Sequence, residues 1–163
     1  MAIVGAALSE HPLATHAVGE TVGALLEVGG PRPDLVVVFA TEALVALQAA
    51  RPVAPAEDHA ALVVQAMWLG GARIRPIRID SVPGPDGPHL RGLGALDGTT
   101  GTLILLSDPF SFPAQLAIGD LAVTAPGLSV VGGAASAARR PGGNRLLLDG
   151  AIHDHGAVAV LLD

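Results

Sequence analysis

Apolar positions along this chain recur in two ways, as short continuous runs and at helical spacing, and together they predict its elements. Residues 2–8 (AIVGAAL) make a first strand. In the following SEHPLATHAVGETVGALLEVGG, Leu13, Ala17, Val18, Val22, Leu25 and Leu26 fall on one helical face. Pro12 suits the first turn and Gly29–Gly30 the C-terminal stop. DLVVVFA (34–40) is a continuous β-branched run, hence a buried strand, and EALVALQAA (42–50) reads as a short helix. EDHAALVVQAMWL (57–69) fits a helix or a strand equally. RIRPIRID (73–80) alternates isoleucine with arginine, and Pro76 favours an edge position. The Pro/Gly-rich residues 81–101 read as a loop. TLILLSD (102–108) is a buried strand, and a helix runs from about Pro113 to Ala122. LSVVGG, RLLLDG and AVAVLLD supply the last strands, with Asp149–Gly150 a type I′ hairpin turn. The order β-α-β-α-β-β-β-α-β-β-β implies an α/β fold: a mixed β-sheet with helices packed on it.

Length and composition narrow the class. A chain of 163 residues, half of them apolar and 15% charged, is expected to form a single compact domain with one core. Every apolar run is broken well short of the roughly 18 residues of a membrane helix. The start, MAIVGAALSEH, lacks the basic region of a signal peptide, so a cytoplasmic location is expected. The net charge is −6 and the nine basic residues are all arginines, which argues against nucleic-acid binding. Three Phe, one Trp and no Tyr leave little for base stacking. With no cysteine, disulfides, thiolate metal sites and cysteine nucleophiles are excluded.

The stretch VVGGAASAARRPGGNRLLLDG (130–150) admits several chemistries. A Walker loop requires a lysine, which the chain lacks, and Gly92-Leu-Gly94-Ala-Leu-Asp-Gly98 has the wrong spacing for a dinucleotide fingerprint. An anion nest from Gly132–Gly133 and Gly142–Gly143, with Arg139, Arg140 and Arg145, stands beside the alternative of a solvated strand connection. Ser136 lies in Ala-Ala-Ser-Ala-Ala rather than in a nucleophile elbow, so a serine hydrolase is not expected. His153-Asp154-His155 reads as a polar turn before the final strand rather than a metal site. His11 and His16, spaced by five, are not expected to share a face. In Asp108-Pro-Phe-Ser-Phe-Pro113, Asp108 or Ser111 is placed to cap the next helix, at a strand end where open α/β sheets hold ligands.

Several blocks carry a resemblance: LLSDPFSFP, PGLSVVGGAAS, PGGNRLLLDG with GAVAVLL, and the opening SEHPLATHAVGETVGALLE with DLVVVFA. In that order they resemble the N-terminal half of the bacterial FIST sensory domain. The resemblance implies an intracellular signal-transduction module that binds a small molecule, with amino acids or related carboxylates the usual proposal. Relatives accompany histidine kinases, cyclic-dinucleotide enzymes or chemotaxis proteins, and some are linked to haem-based nitric-oxide sensing. No catalytic residue comes with the family. The chain departs from the pattern where ALQAARPVAPAEDHAALVVQAMWLGG replaces a Gly/Ser segment, and where a C-terminal partner domain would follow Asp163. Pairing with a second copy is one way for such a half to complete itself.

The expectation is thus a non-enzymatic ligand-binding sensory domain, its pocket where the loops after strands 102–107 and 129–131 converge. Asp108, Phe110, Ser111, Gly132, Gly133, Ser136, Asn144 and Arg145 are expected to line it, with Arg145 taking a carboxylate at two points. The alternatives are a self-associating assembly protein, or a haem sensor ligated by His11, His16 or His59. No metal and no catalytic residue is expected.

Overall fold

The computed structural model describes residues 1–44, 59–85 and 87–163, which form an α/β fold of mixed sheets and helices. Its contacts gather into two compact units, Met1–Gly71 and Ala72–Asp163, each with its own core.

The first unit holds β1 (Ile3–Ser9), α1 (Ala14–Gly29), β2 (Leu35–Ala40) and β3 (Leu62–Trp68), with strand order β1-β3-β2. Both outer strands run antiparallel to β3 and hence parallel to each other. Of the segment 57–69 that fitted either helix or strand, residues 57 and 58 lie outside the described residues and Leu62–Trp68 is thus a strand. Its alternation decides it: Leu62, Val64 and Ala66 are buried and the residues between them are less so. α1 buries Ala17, Thr21 and Leu25, one turn apart, over β1 and β3. Thr21 returns its hydroxyl to the Ala17 carbonyl at 2.8 Å, so the buried oxygen is satisfied. The helix ends at Gly30 (φ 90°), whose N–H donates to the Leu26 carbonyl at 3.1 Å, and Gly29 before it leaves room for the Trp68 ring; a Cβ there would stand 2.3 Å from the indole. Pro12 precedes the N-cap residue Leu13 and so stands just outside the first turn. Residues 42–44 are helical, while the rest of the helix expected over 42–50 lies outside the described residues.

The second unit is built on a five-stranded sheet, β5-β4-β10-β6-β7, made of β4 (Ile74–Gly84), β5 (Gly87–Arg91), β6 (Gly101–Ser107), β7 (Leu128–Ala134) and β10 (Ala157–Leu162). All its pairs are antiparallel except β6 with β7, which are joined by the crossover helix α2 (Ala114–Thr124). β10 is central and almost wholly buried, which is what the uninterrupted apolar run AVAVLL demands. Ile79, Leu96, Leu103, Leu121 and Leu161 are the largest apolar side chains fully enclosed, each contributing about 1.5–3 kcal/mol.

The loop expected over 81–101 is ordered structure. β4 runs on to Gly84 and turns back as β5, followed by one 3₁₀ turn, Leu93–Leu96. Pro83 and Pro88 face each other, so both missing donors fall on a single rung of the ladder. Pro76 sits where β4 pairs with β10 alone, since β5 covers only Asp80–Gly84; the edge character is local. Asp149 (φ 48°) and Gly150 (φ 80°) make the expected left-handed turn. That turn joins β8 (Leu146–Leu148) to an additional short strand, β9 (Ala151–His153), rather than to β10.

Candidate functional site

Three connections of the second unit meet at the carboxyl end of β6. They are the turn 108–113 before α2, the segment 135–145 after β7, and the turn 154–156 before β10. Asp108, wholly buried, is where they join. Its Oδ1 accepts from Asn144 Nδ2 at 2.7 Å and its Oδ2 from the Ser111 hydroxyl at 2.5 Å. The Asp108 N–H donates to the Gly156 carbonyl at 2.9 Å. The Gly156 N–H in turn donates to Ser111 Oγ at 2.8 Å. Asn144 completes the tie, accepting from the Ala138 N–H at 3.0 Å and donating to the Ala135 carbonyl at 3.4 Å. A carboxylate enclosed this way is tolerated because each oxygen has a donor.

Asp108 and Ser111 do not cap α2. Its N-cap residue is Pro113, and no side chain bonds there. The two side chains bond each other instead, and the Phe112 N–H closes on the Asp108 carbonyl at 3.0 Å. Phe112 is buried in the core, while Phe110 is 44% exposed. Phe110, Ser111 and Phe112 line an open cleft of about 320 Å³ with Ser81, Pro88, Pro109 and Pro113.

The other expected site residues lie apart from that cleft. Gly132 and Gly133 belong to β7 rather than to a loop. Gly132 has φ +143° and lies against β6, where a Cβ would come within 1.9 Å of the Leu105 carbonyl oxygen; around Gly133 the space is open. Ser136 is exposed. Arg145 is exposed and spends Nη1 on its own connection, donating to the carbonyls of Gly142 at 2.8 Å and Asn144 at 2.7 Å. Asp108, Ser111 and Asn144 are therefore joined by side-chain hydrogen bonds and Phe110 and Ser111 share the cleft; Arg145 meets the first group only at the Asn144 carbonyl, and Gly132, Gly133 and Ser136 join neither.

Sequence reasoning missed Arg78, Asp80 and Gly156. Arg78 Nη1 donates to the carbonyls of Ile79 (2.6 Å) and Ala157 (2.7 Å), and Nη2 donates to that of His155 (2.7 Å). Gly156 (φ +71°) lies beneath this guanidinium, with no room for a Cβ. Asp80 stands 2.5 Å from Arg78 Nη2, 3.2 Å from Arg91 and 3.5 Å from His155. The Arg78–Asp80 contact is close but off the hydrogen-bond axis, so it acts as a charge pair. His155 also bonds Asp154, and that ring hydrogen bond, then the backbone N–H of Asp154, holds this exposed carboxyl below its ordinary value. The only sequence signal for this cluster was a glycine before the final strand.

His153 ends β9 while His155 lies in the next turn, so the two do not share a strand face. His11 and His16 do meet, contrary to their spacing: the rings stack with centroids 4.6 Å apart. The spacing argument fails because His11 precedes the helix, where its Nδ1 accepts from the Leu13 N–H at 3.0 Å. Among the described residues no three His, Cys, Asp or Glu side chains gather around a common point, and no helix is long and apolar enough to cross a membrane.

A family model described as the FIST N domain matches residues 3–163. The chain is also similar to the uncharacterized protein Rv0628c of Mycobacterium tuberculosis (strain ATCC 25618 / H37Rv). That match is 38% identical over 99 residues, 60% of this chain and 26% of the relative. The uncharacterized protein Mb0898c of Mycobacterium bovis (strain ATCC BAA-935 / AF2122/97) is 37% identical over 108 residues, 65% of this chain and 27% of the relative. The matched part thus spans about a quarter of each relative's length. No solved structure matches the chain at significance.

Proposed function

The chain belongs to the FIST N domain family, a family of sensory and signal-transduction domains, and from that premise we propose that it is a non-enzymatic sensor of a small ligand. The observation that supports this reading is the cleft beside the Asp108 network. An open cleft lined by Phe110, Phe112, three prolines and two serines lies beside an internally hydrogen-bonded network that holds Ser111, so apolar surface and a few fixed polar groups converge there. Phe110 offers the half-exposed ring face and Ser81 and Ser111 the hydroxyls. Asp108 and Asn144 position Ser111 rather than touching the ligand themselves.

The chemistry of the network favours binding over catalysis. Ser111 donates its hydrogen bond to a carboxylate already held by an amide and accepts one from the Gly156 N–H, so its hydroxyl is committed to the network, and no imidazole is paired with it as in a Ser–His arrangement. A ligand that enters here touches connections held by the turn before β10, which gives occupancy a mechanical route into the centre of the sheet. In this reading the ligand is an amino acid or related carboxylate, and the sensor is cytoplasmic and works with a signalling partner. Arg145, exposed and with Nη2 not spent on its own connection, is the cation proposed to take the carboxylate.

The test is a thermal-shift panel of amino acids and small carboxylates at millimolar concentration. A ligand at 100 times its Kd stabilises by about 2.7 kcal/mol, which such a panel detects. Phe110→Ala is expected to abolish the shift and Arg145→Ala to weaken it for carboxylates alone. A panel in which nothing shifts the wild-type transition removes the proposal.

A further inference from the structure

The two edges of the five-stranded sheet are built differently. β5 is short and carries Pro88, His89 and Arg91, the devices that keep an edge from pairing with another chain. β7 reads LSVVGGA, with no charge and no proline, and Val131 is 50% exposed. Among the described residues no strand pairs with its outer side.

The ladder shows which backbone groups that side presents. At one end the Gly101 N–H donates to the Gly127 carbonyl at 3.4 Å, and at the other the Ala135 N–H donates to Ser107 at 2.8 Å. Parallel pairing uses alternate residues, so 127, 129, 131, 133 and 135 face β6. Val130, Gly132 and Ala134 therefore turn their N–H and C=O groups outward, where only another extended chain can match their spacing.

We propose that this edge is an interaction surface and that its occupant is β7 of a second copy, running antiparallel about a twofold axis at Val131. The sequence is complementary to itself in that register. Val130 of each copy faces Gly132 of the other, Leu128 faces Ala134, and Ser129 faces Gly133, so a larger residue always meets a smaller one. Val131 meets Val131, and no like charges are opposed. Outward-facing residues fall opposite outward-facing residues, so Val130 and Gly132 exchange both backbone hydrogen bonds. One seven-residue strand covers less than the roughly 1,000 Å² of a stable interface, so association is weak and depends on concentration. This surface is separate from the cleft and does not rest on the ligand reading.

Light scattering over a concentration series, with amide hydrogen exchange at the same concentrations, tests it. The wild type is expected to pass from monomer to dimer, with the amides of Val130, Gly132 and Ala134 alone exchanging more slowly as it does. Val131→Lys opposes two charges at the axis and is expected to remain monomeric with a native circular dichroism spectrum, whereas Val131→Thr still dimerises. Should V131K fail to fold, Ser129→Lys combined with Gly133→Lys sets like charges opposite each other across the proposed pair, at an exposed position and one with open space for a side chain, and is expected to stay monomeric. A wild type that is monomeric at millimolar concentration overturns the proposal. So does a dimer that survives V131K or leaves the three amides unprotected.

Discussion

Asp108 shows how one side chain can hold three connections in place. Its two oxygens accept from different segments, Ser111 three residues on and Asn144 thirty-six residues on, and both donors are themselves bonded back to the backbone. Removing one donor leaves a buried carboxylate oxygen without a partner, which costs about 1–3 kcal/mol and more when the oxygen is charged. Asn144→Ala is therefore expected to lower unfolding stability by about that amount, measured by urea denaturation. Asp108→Ala is expected to cost at least as much, because it strands an amide and a hydroxyl together. In the double variant the two losses should not add, since the shared bond is broken only once. Additive losses would mean that the bond contributes nothing to stability. Phe110, on the cleft side of the same turn and half exposed, makes a contrasting site: its replacement is expected to change binding with little change in stability.

At the scale of elements, β7 separates two glycines that look alike in the sequence. Gly132 has φ +143° and presses on the Leu105 carbonyl, while Gly133 has open space where a side chain would go. Gly132→Ala is expected to destabilise by about 1–3 kcal/mol, and Gly133→Ala to be nearly neutral or mildly stabilising through the unfolded chain. Matched thermal melts decide between this and two equal losses. The adjacent pair also marks what sequence could and could not reveal. Apolar runs and helical spacing located β1, β2, β6, β7, β10 and both long helices; β2, expected to be a buried strand, buries only Val37, because an apolar run marks a strand without fixing how many of its faces are covered. The β4–β5 hairpin was hidden by its prolines and glycines, although Asp86-Gly87 is a hairpin signature in its own right. The site was legible in part for the same physical reason. Asp108, Ser111 and Asn144 are polar residues beside apolar strands, which marks them in one dimension. The cleft walls Ser81 and Pro88 come from that unrecognised hairpin. Arg78 looked like one of several alternating surface arginines, and its hold on three carbonyls exists only once β4 and β10 are paired.

At the scale of the whole molecule, length and composition predicted one core, whereas among the described residues the buried side chains form two clusters, one in each unit. The smaller is built chiefly from α1 and β3 with Ala7 of β1 packed against it, and its members include Ala17, Leu25, Leu62, Val64 and Ala66. Among the described residues the larger has Ile79, Leu96, Leu103, Leu121 and Leu161 at its centre and encloses more and bulkier side chains. Apolar burial is the dominant stabilising term, so the first unit is expected to have the lower intrinsic stability. The chain carries a built-in reporter of that difference, because its single tryptophan, Trp68, packs on Gly29 within the first unit. Tryptophan fluorescence in a urea titration is expected to show a midpoint below that of the far-ultraviolet circular dichroism, to which both units contribute. Asn144→Ala acts inside the second unit, so it should lower the circular dichroism midpoint while moving the fluorescence midpoint less. Coincident midpoints that shift together in the variant would instead require the two cores to unfold as one cooperative structure. The same titration then bears on the sensory role. If the second unit holds its fold after the tryptophan signal is lost, a ligand at the Phe110 cleft should raise the circular dichroism midpoint alone.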